Sequence, residues 1–173
     1  MSIAAEPFDA SKLSLPEIQS FECGNHAWCL HASIWIKESD PKKGGAIGSM
    51  AKYGTEVWLY RLISDRTLIG FCGLGKTKWK IDGVTTEVSI IPQFAIQSAF
   101  QGQGLSYQII SDILARALDH GTPYVVLEVH ELNHAINIYR KFRFKELPTR
   151  RRSDHISMSR VNREPVEHQQ SLF

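Results

Sequence analysis

The stretch from Ile90 to Phe144 constrains this chain more than any other. A strand-forming run at Ile90–Ile96 precedes Gln101-Gly102-Gln103-Gly104-Leu105-Ser106. That glycine loop opens directly into Leu105–His120, where Ile109, Ile113, Leu114 and Leu118 recur at helical spacing. Gly121 stands where a helix C-terminal glycine belongs. Tyr124–Val129 then reads as a buried strand and Ala135–Lys141 as a short helix. Strands alternating with helices in this way predict a mixed α/β sheet.

The rest of the chain extends that order. Asn25 caps a predicted helix reaching about Ser39, ended by Pro41, Gly44 and Gly45. Val57–Ile63, Thr67–Lys78 and Glu87–Ile96 read as an antiparallel meander with turns at Ser64-Asp65-Arg66 and Asp82-Gly83. Ile156–Ser159 is the last predicted strand, and the first twenty residues, with Pro7 and Pro16, read as irregular. The expected fold class is α/β (α+β), a mostly antiparallel central sheet flanked by helices. A chain of 173 residues fits one domain, taken as residues 1–163, followed by a polar tail at 164–173.

Apolar residues at 43% and charged residues at 22% exclude a disordered or fibrous chain. No apolar run approaches the roughly 18 residues of a membrane helix, and no N-terminal stretch has the layout of a secretory signal. Cys23, Cys29 and Cys72 are odd in number and lack metal-site spacing, and the seven histidines are scattered. The expectation is a soluble cytoplasmic domain with reduced thiols and no metal. The net charge is +2, but nine basic residues and two acids lie between Arg140 and Arg163, so that segment is +7 and the remainder −5. A one-sided basic end suits either a polyanionic partner or a solvated surface.

Two glycine-bearing segments invite phosphate chemistry. Gly70-Phe71-Cys72-Gly73-Leu74-Gly75-Lys76-Thr77 matches the nucleotide-binding pattern G-x-x-x-x-G-K-T. That chemistry needs a helix starting at the lysine, and here Lys78–Gly83 is too short for one before the next turn. The segment reads as a strand. Gln101–Ser106, by contrast, does lead into a helix, so its amides and the helix dipole can hold a pyrophosphate.

Strand, loop, helix, strand and the run Ala135-Ile136-Asn137-Ile138-Tyr139-Arg140-Lys141-Phe142-Arg143-Phe144 together resemble the GCN5-related N-acetyltransferases (GNAT). Their loop Q/R-x-x-G-x-G/A is matched by Gln101, Gly104 and, with a larger side chain, Ser106. Their later signature, roughly N-x-x-A-x-x-L-Y-x-x-x-G-F, is matched from Ala135 to Phe144. The resemblance spans residues 55 to 160 and is densest over 88 to 145. Arg143 departs from it by standing where the family has glycine, and Asn133 lies one residue nearer Tyr139 than the family's asparagine.

The resemblance implies the GNAT fold, acetyl-CoA as acetyl donor and a primary amine as acceptor. It implies that the backbone of Phe94, Ala95 and Ile96 meets the pantetheine arm. It also implies that Gln101, Gly102, Gln103, Gly104, Leu105 and Ser106 hold the pyrophosphate, with Asn133 as a further cofactor contact. Tyr139 occupies the position of the acid that protonates the leaving thiolate. For the base, Glu128 resembles the acidic strand residue of ribosomal-protein N-terminal acetylases. Glu87 and His130 are alternatives, and Ile90 fills a position that carries a carboxylate in other members. An acceptor amine of low pKa needs no base at all.

Upstream, Phe21-Glu22-Cys23-Gly24-Asn25 resembles the F-x-C-G opening of acetyltransferase toxins of toxin–antitoxin pairs, which acetylate aminoacyl-tRNA. That resemblance implies aminoacyl-tRNA as acceptor, an antitoxin as partner and a role for the basic segment against RNA phosphates. A protein N-terminus, a lysine or a small amine stays open as acceptor, as does a non-catalytic acyl-CoA-binding module. Exposed strand edges suit a homodimer. The last residues, Gln169-Gln170-Ser171-Leu172-Phe173, resemble the peptide by which bacterial proteins dock on the sliding clamp.

Overall fold

The structure is a computed structural model that describes residues 1–8 and 55–163. The expected helix at 25–39, the Phe21–Asn25 segment, Cys23, Cys29 and the tail at 164–173 lie outside the described residues.

Eight strands form a mixed, mostly antiparallel sheet in the order β1-β2-β3-β4-β6-β8-β7, with β5 pairing β3 off that path. In chain order they are β1 (Ile3–Pro7), β2 (Glu56–Leu62), β3 (Leu68–Ile81), β4 (Val84–Ile91), β5 (Phe94–Ile96), β6 (Tyr124–His130), β7 (Lys145–Glu146) and β8 (His155–Val161). Helices α1 (Leu105–Asp119) and α2 (Ala135–Lys141) flank β6 in sequence. The described residues fall into two compact units. The first holds those up to Gly75 with Ile91–Ile109, and the second holds Lys76–Ile90 with those from Ile110 onward.

In the first unit β1, β2, the first half of β3 and β5 pair antiparallel around buried Leu59, Tyr60, Ile69, Phe71 and Leu74. β1 corrects the reading of the N-terminus as irregular. Its five residues pair with Trp58–Leu62, and Pro7 sits at its end, where its missing N–H costs no ladder bond. Glu6 on β1 accepts from Arg61 Nε at 2.6 Å and from Arg66, tying the edge strand to the first turn. Gly70 to Thr77 lies wholly within β3, so the phosphate-binding pattern is strand. Its Gly70 is needed for packing, because a Cβ there would collide with the Ala95 carbonyl oxygen of β5.

In the second unit Trp79, Ile81, Val88 and Val126 pack together, with Ile90, Tyr124 and Leu147 against them. Asp82 and Gly83 both have positive φ, 47° and 84°, which is the hairpin turn their pairing in sequence predicts. β8 pairs β6 from Tyr124↔Val161 to His130↔His155, so it is longer than the expected Ile156–Ser159.

The expected strand Glu87–Ile96 is two strands. Pro92 and Gln93 break the run, β4 ends at Ile91, and β5 resumes at Phe94 against β3 only. No helix among the described residues is long and apolar enough to cross a membrane.

Candidate active site

β5 and the loop after it present backbone groups rather than side chains. Gly73 N–H donates to the Gln93 carbonyl at 2.8 Å and Gln97 N–H to the Ile69 carbonyl at 2.7 Å. With Phe71↔Ala95 as register partners between them, Ala95 spends its backbone groups on Phe71. Phe94 and Ile96 therefore aim theirs at the opposite edge, where β5 has no partner strand among the described residues. The Ile96 carbonyl accepts from Gln101 Nε2 at 3.1 Å, which pins the loop to the strand end. The Phe94 N–H and C=O and the Ile96 N–H have no partner among the described residues.

A 3₁₀ turn at Ser98–Phe100 carries the chain into the loop. Gly102 and Gly104 adopt φ of 74° and 76°, conformations that residues with a Cβ rarely hold. A Cβ on either would meet nothing within 4 Å among the described residues. The amides of Gly102, Gln103, Gly104, Leu105 and Ser106 donate to no acceptor among the described residues. They precede or open a fifteen-residue helix whose dipole places positive potential there. Such a set of orphan donors fits a pyrophosphate. Gln103 closes the loop through Nε2 to the Ala99 carbonyl at 2.8 Å.

In the second unit the Tyr139–Phe144 run forms a helix-ending Schellman motif. Phe144 N–H donates to the Tyr139 carbonyl at 3.1 Å and Arg143 N–H to the Arg140 carbonyl at 2.9 Å. The motif needs a left-handed residue at its penultimate position, and Arg143 supplies it with φ 64°. Its hydrophobic contact is the Phe144 ring against the Tyr139 ring, edge to face with centroids 5.9 Å apart. The spacing Y-x-x-x-G-F is thus the spacing of the cap, and the cap fixes the buried Tyr139 ring. Asn133 opens the same helix, its Oδ1 accepting from Ala135 N–H at 2.9 Å.

Glu128 lies on β6 opposite Ser157 of β8, so both side chains share one face. Glu128 Oε1 and Ser157 Oγ are both buried without a hydrogen-bond partner among the described residues. Unpaired buried acceptors are costly, and a pair of them at one register position fits an incoming donor group. His130, two residues on, packs edge to face on His155 at 5.4 Å. Asp154 accepts from His155 Nδ1 at 2.8 Å, and that bond holds its carboxyl below the ordinary value. Glu87, the other alternative, is exposed on β4. The sequence reading missed Ser157 and also Gln93, whose Oε1 is a third buried acceptor without a partner among the described residues. A signal for Gln93 was its place directly after Pro92, inside an otherwise apolar strand run.

Within the first unit, a strand edge and a glycine loop whose amides find no acceptor among the described residues suit a phosphorylated, amide-bearing ligand. The family model described as the acetyltransferase (GNAT) domain matches residues 50–164, and the chain belongs to that family of acyltransferases. No curated protein matches the sequence. Among solved structures, a bacterial toxin is 15% identical with a TM-score of 0.73, over 93% of this chain and 91% of the toxin. A tyrosine-to-phenylalanine mutant of the AtaT toxin, bound to the C-terminus of the antitoxin AtaR and acetyl-CoA, is 13% identical with a TM-score of 0.67, over 92% and 93%. The ribosomal-protein-S18-alanine N-acetyltransferase from Escherichia coli is 16% identical with a TM-score of 0.64, over 99% of each chain.

Proposed function

We propose that this protein uses acetyl-CoA to acetylate the α-amine of aminoacyl-tRNA, as the toxin of a pair whose other member is an antitoxin. The donor side rests on one observation, the five amides of Gly102–Ser106 that find no acceptor among the described residues. They would hold the pyrophosphate, and the free edge of Phe94 and Ile96 would pair with the amides of the pantetheine arm. Acetyl-CoA, when bound, supplies the acetyl group as a thioester. Tyr139 would give its phenolic proton to the sulfur as the acceptor nitrogen bonds to the acetyl carbon and the C–S bond breaks, so that a thiol leaves. The Schellman cap sets the Tyr139 ring edge to face against Phe144.

The acceptor assignment draws on Phe21–Gly24 and on neighbours described as a bacterial toxin and as AtaT bound to AtaR. An aminoacyl ester lowers the pKa of its own amine, so a strong base is unnecessary. The orphan Glu128 Oε1 favours a second reading, a protein N-terminus like that acetylated by the ribosomal-protein enzyme among the neighbours. Such an ammonium holds its proton more tightly, and Glu128 would take it before the nitrogen attacks.

Labelled acetyl-CoA in a cell extract distinguishes these, with label counted separately in tRNA, protein and small-molecule fractions and Tyr139→Phe as control. Tyr139-dependent label on aminoacyl-tRNA is the expected result. Label on protein that also depends on Glu128 establishes the second reading. Acetyl-CoA binding with no transfer to any fraction establishes a non-catalytic module instead.

A further inference from the structure

The basic segment divides once the chain is folded. Arg140 pairs with Glu146 at 2.6 Å, Arg150 pairs with Glu131 at 2.9 Å, and Arg151 lies over the Trp79 ring at 4.5 Å. Arg143, Lys145, Arg160 and Arg163 have no carboxylate partner among the described residues. All four line one groove of about 750 Å³, together with the Arg140–Glu146 pair and Asp82. The groove lies wholly within the second unit, and neither Tyr139 nor Glu128 lines it.

Arg160 is the telling member. It is only 8% exposed, and its guanidinium is held by the carbonyls of Val161 at 3.2 Å and Arg163 at 3.1 Å rather than by an acid. Burial lowers its pKa, and the charges of Arg163 and Arg143 lower it further. A buried cation next to two others, with carbonyl dipoles as its only anchors among the described residues, is an arrangement that folding alone does not favour. Arg143 adds to it by projecting from a left-handed backbone position that glycine would fill more easily. A phosphate oxyanion in the groove offsets both repulsions at once, through charge-assisted bonds to forked donors.

We propose that this groove is a second anion site, separate from the acetyl-CoA loop, which binds phosphate groups through Arg143, Arg160, Arg163 and Lys145. The phosphates come either from a polynucleotide backbone or from a free polyphosphate, and the two sources share this chemistry.

The test uses the full chain and a Lys145→Gln/Arg163→Gln variant, both positions being exposed. One arm measures binding of a fluorescein-labelled oligouridine against salt, and the other measures the rise in Tm with inorganic tripolyphosphate. In the arm whose ligand is the true source, the variant should lose about tenfold in affinity. For the oligouridine the slope of log K against log salt should also shrink by about 0.7 per cation removed. Binding of acetyl-CoA by calorimetry should not change. The site is overturned if wild type and variant bind both probes equally. A matched loss of acetyl-CoA affinity also overturns it, since the groove would then be part of the donor site.

Discussion

Arg143 holds φ 64° at the end of α2, a conformation that strains a residue carrying a Cβ by about 1 kcal/mol. Arg143→Gly should therefore raise stability by about 0.5–1 kcal/mol, read as a higher urea midpoint at unchanged slope. A lower midpoint would mean that the arginine side chain contributes more than the backbone loses. Tyr139 makes the contrasting case, in which the proposed chemistry rather than the fold sets the residue. Its ring contact with Phe144 survives loss of the hydroxyl, so Tyr139→Phe should keep the acetyl-CoA affinity of the wild type. Its kcat should fall by about 10²–10⁴, the ordinary worth of a positioned acid. A kcat within a few-fold of wild type, measured by thiol release, would assign the proton to another group.

The elements proposed to hold the donor depend on glycines for two different reasons. Gly102 and Gly104 are needed for their backbone angles, whereas Gly70 is needed because β5 approaches β3 closely. Gly70→Ala should push Ala95 away, cost about 1–3 kcal/mol in stability and raise the KM for acetyl-CoA, because Phe94 and Ile96 move with it. An unchanged KM would separate β5 from donor binding. The reason for Gly70 was hidden in the sequence, which offers only a nucleotide-binding look-alike there. The hairpin at Asp82-Gly83, the amphipathic α1 and Gly121 were legible because each depends on neighbours a few residues away. β1 was not, since Ile3–Pro7 has no alternation of its own and forms only by pairing with Trp58–Leu62. The break at Pro92 and the orphan pair Glu128–Ser157 likewise depend on which strands lie side by side.

At the scale of the whole molecule, charge decides where stability is lost. The sequence showed a +7 segment, but not that acids at Glu131 and Glu146 would neutralise two of its arginines and leave four facing a groove. The acid-sensitive charge sits instead on the edge strand. Burial raises the pKa of Glu6, but the bonds and charges of Arg61 and Arg66 outweigh it and hold the carboxyl below its ordinary value of 4.5. A group whose pKa is depressed by folding stabilises the folded chain above its unfolded pKa. That contribution fades as pH drops through the folded value. Stability should therefore decline from about pH 5 toward pH 3. Glu6→Gln removes the ion pair to the nearly buried Arg61, so at pH 7 it should be less stable by about 1 kcal/mol. Because the glutamine does not titrate, the gap between the two proteins should narrow as pH falls through that window. Urea midpoints at pH 7, 5 and 3 measure this directly. A constant gap would mean that the strand edge is held by the β1–β2 backbone ladder and not by the Glu6 charge.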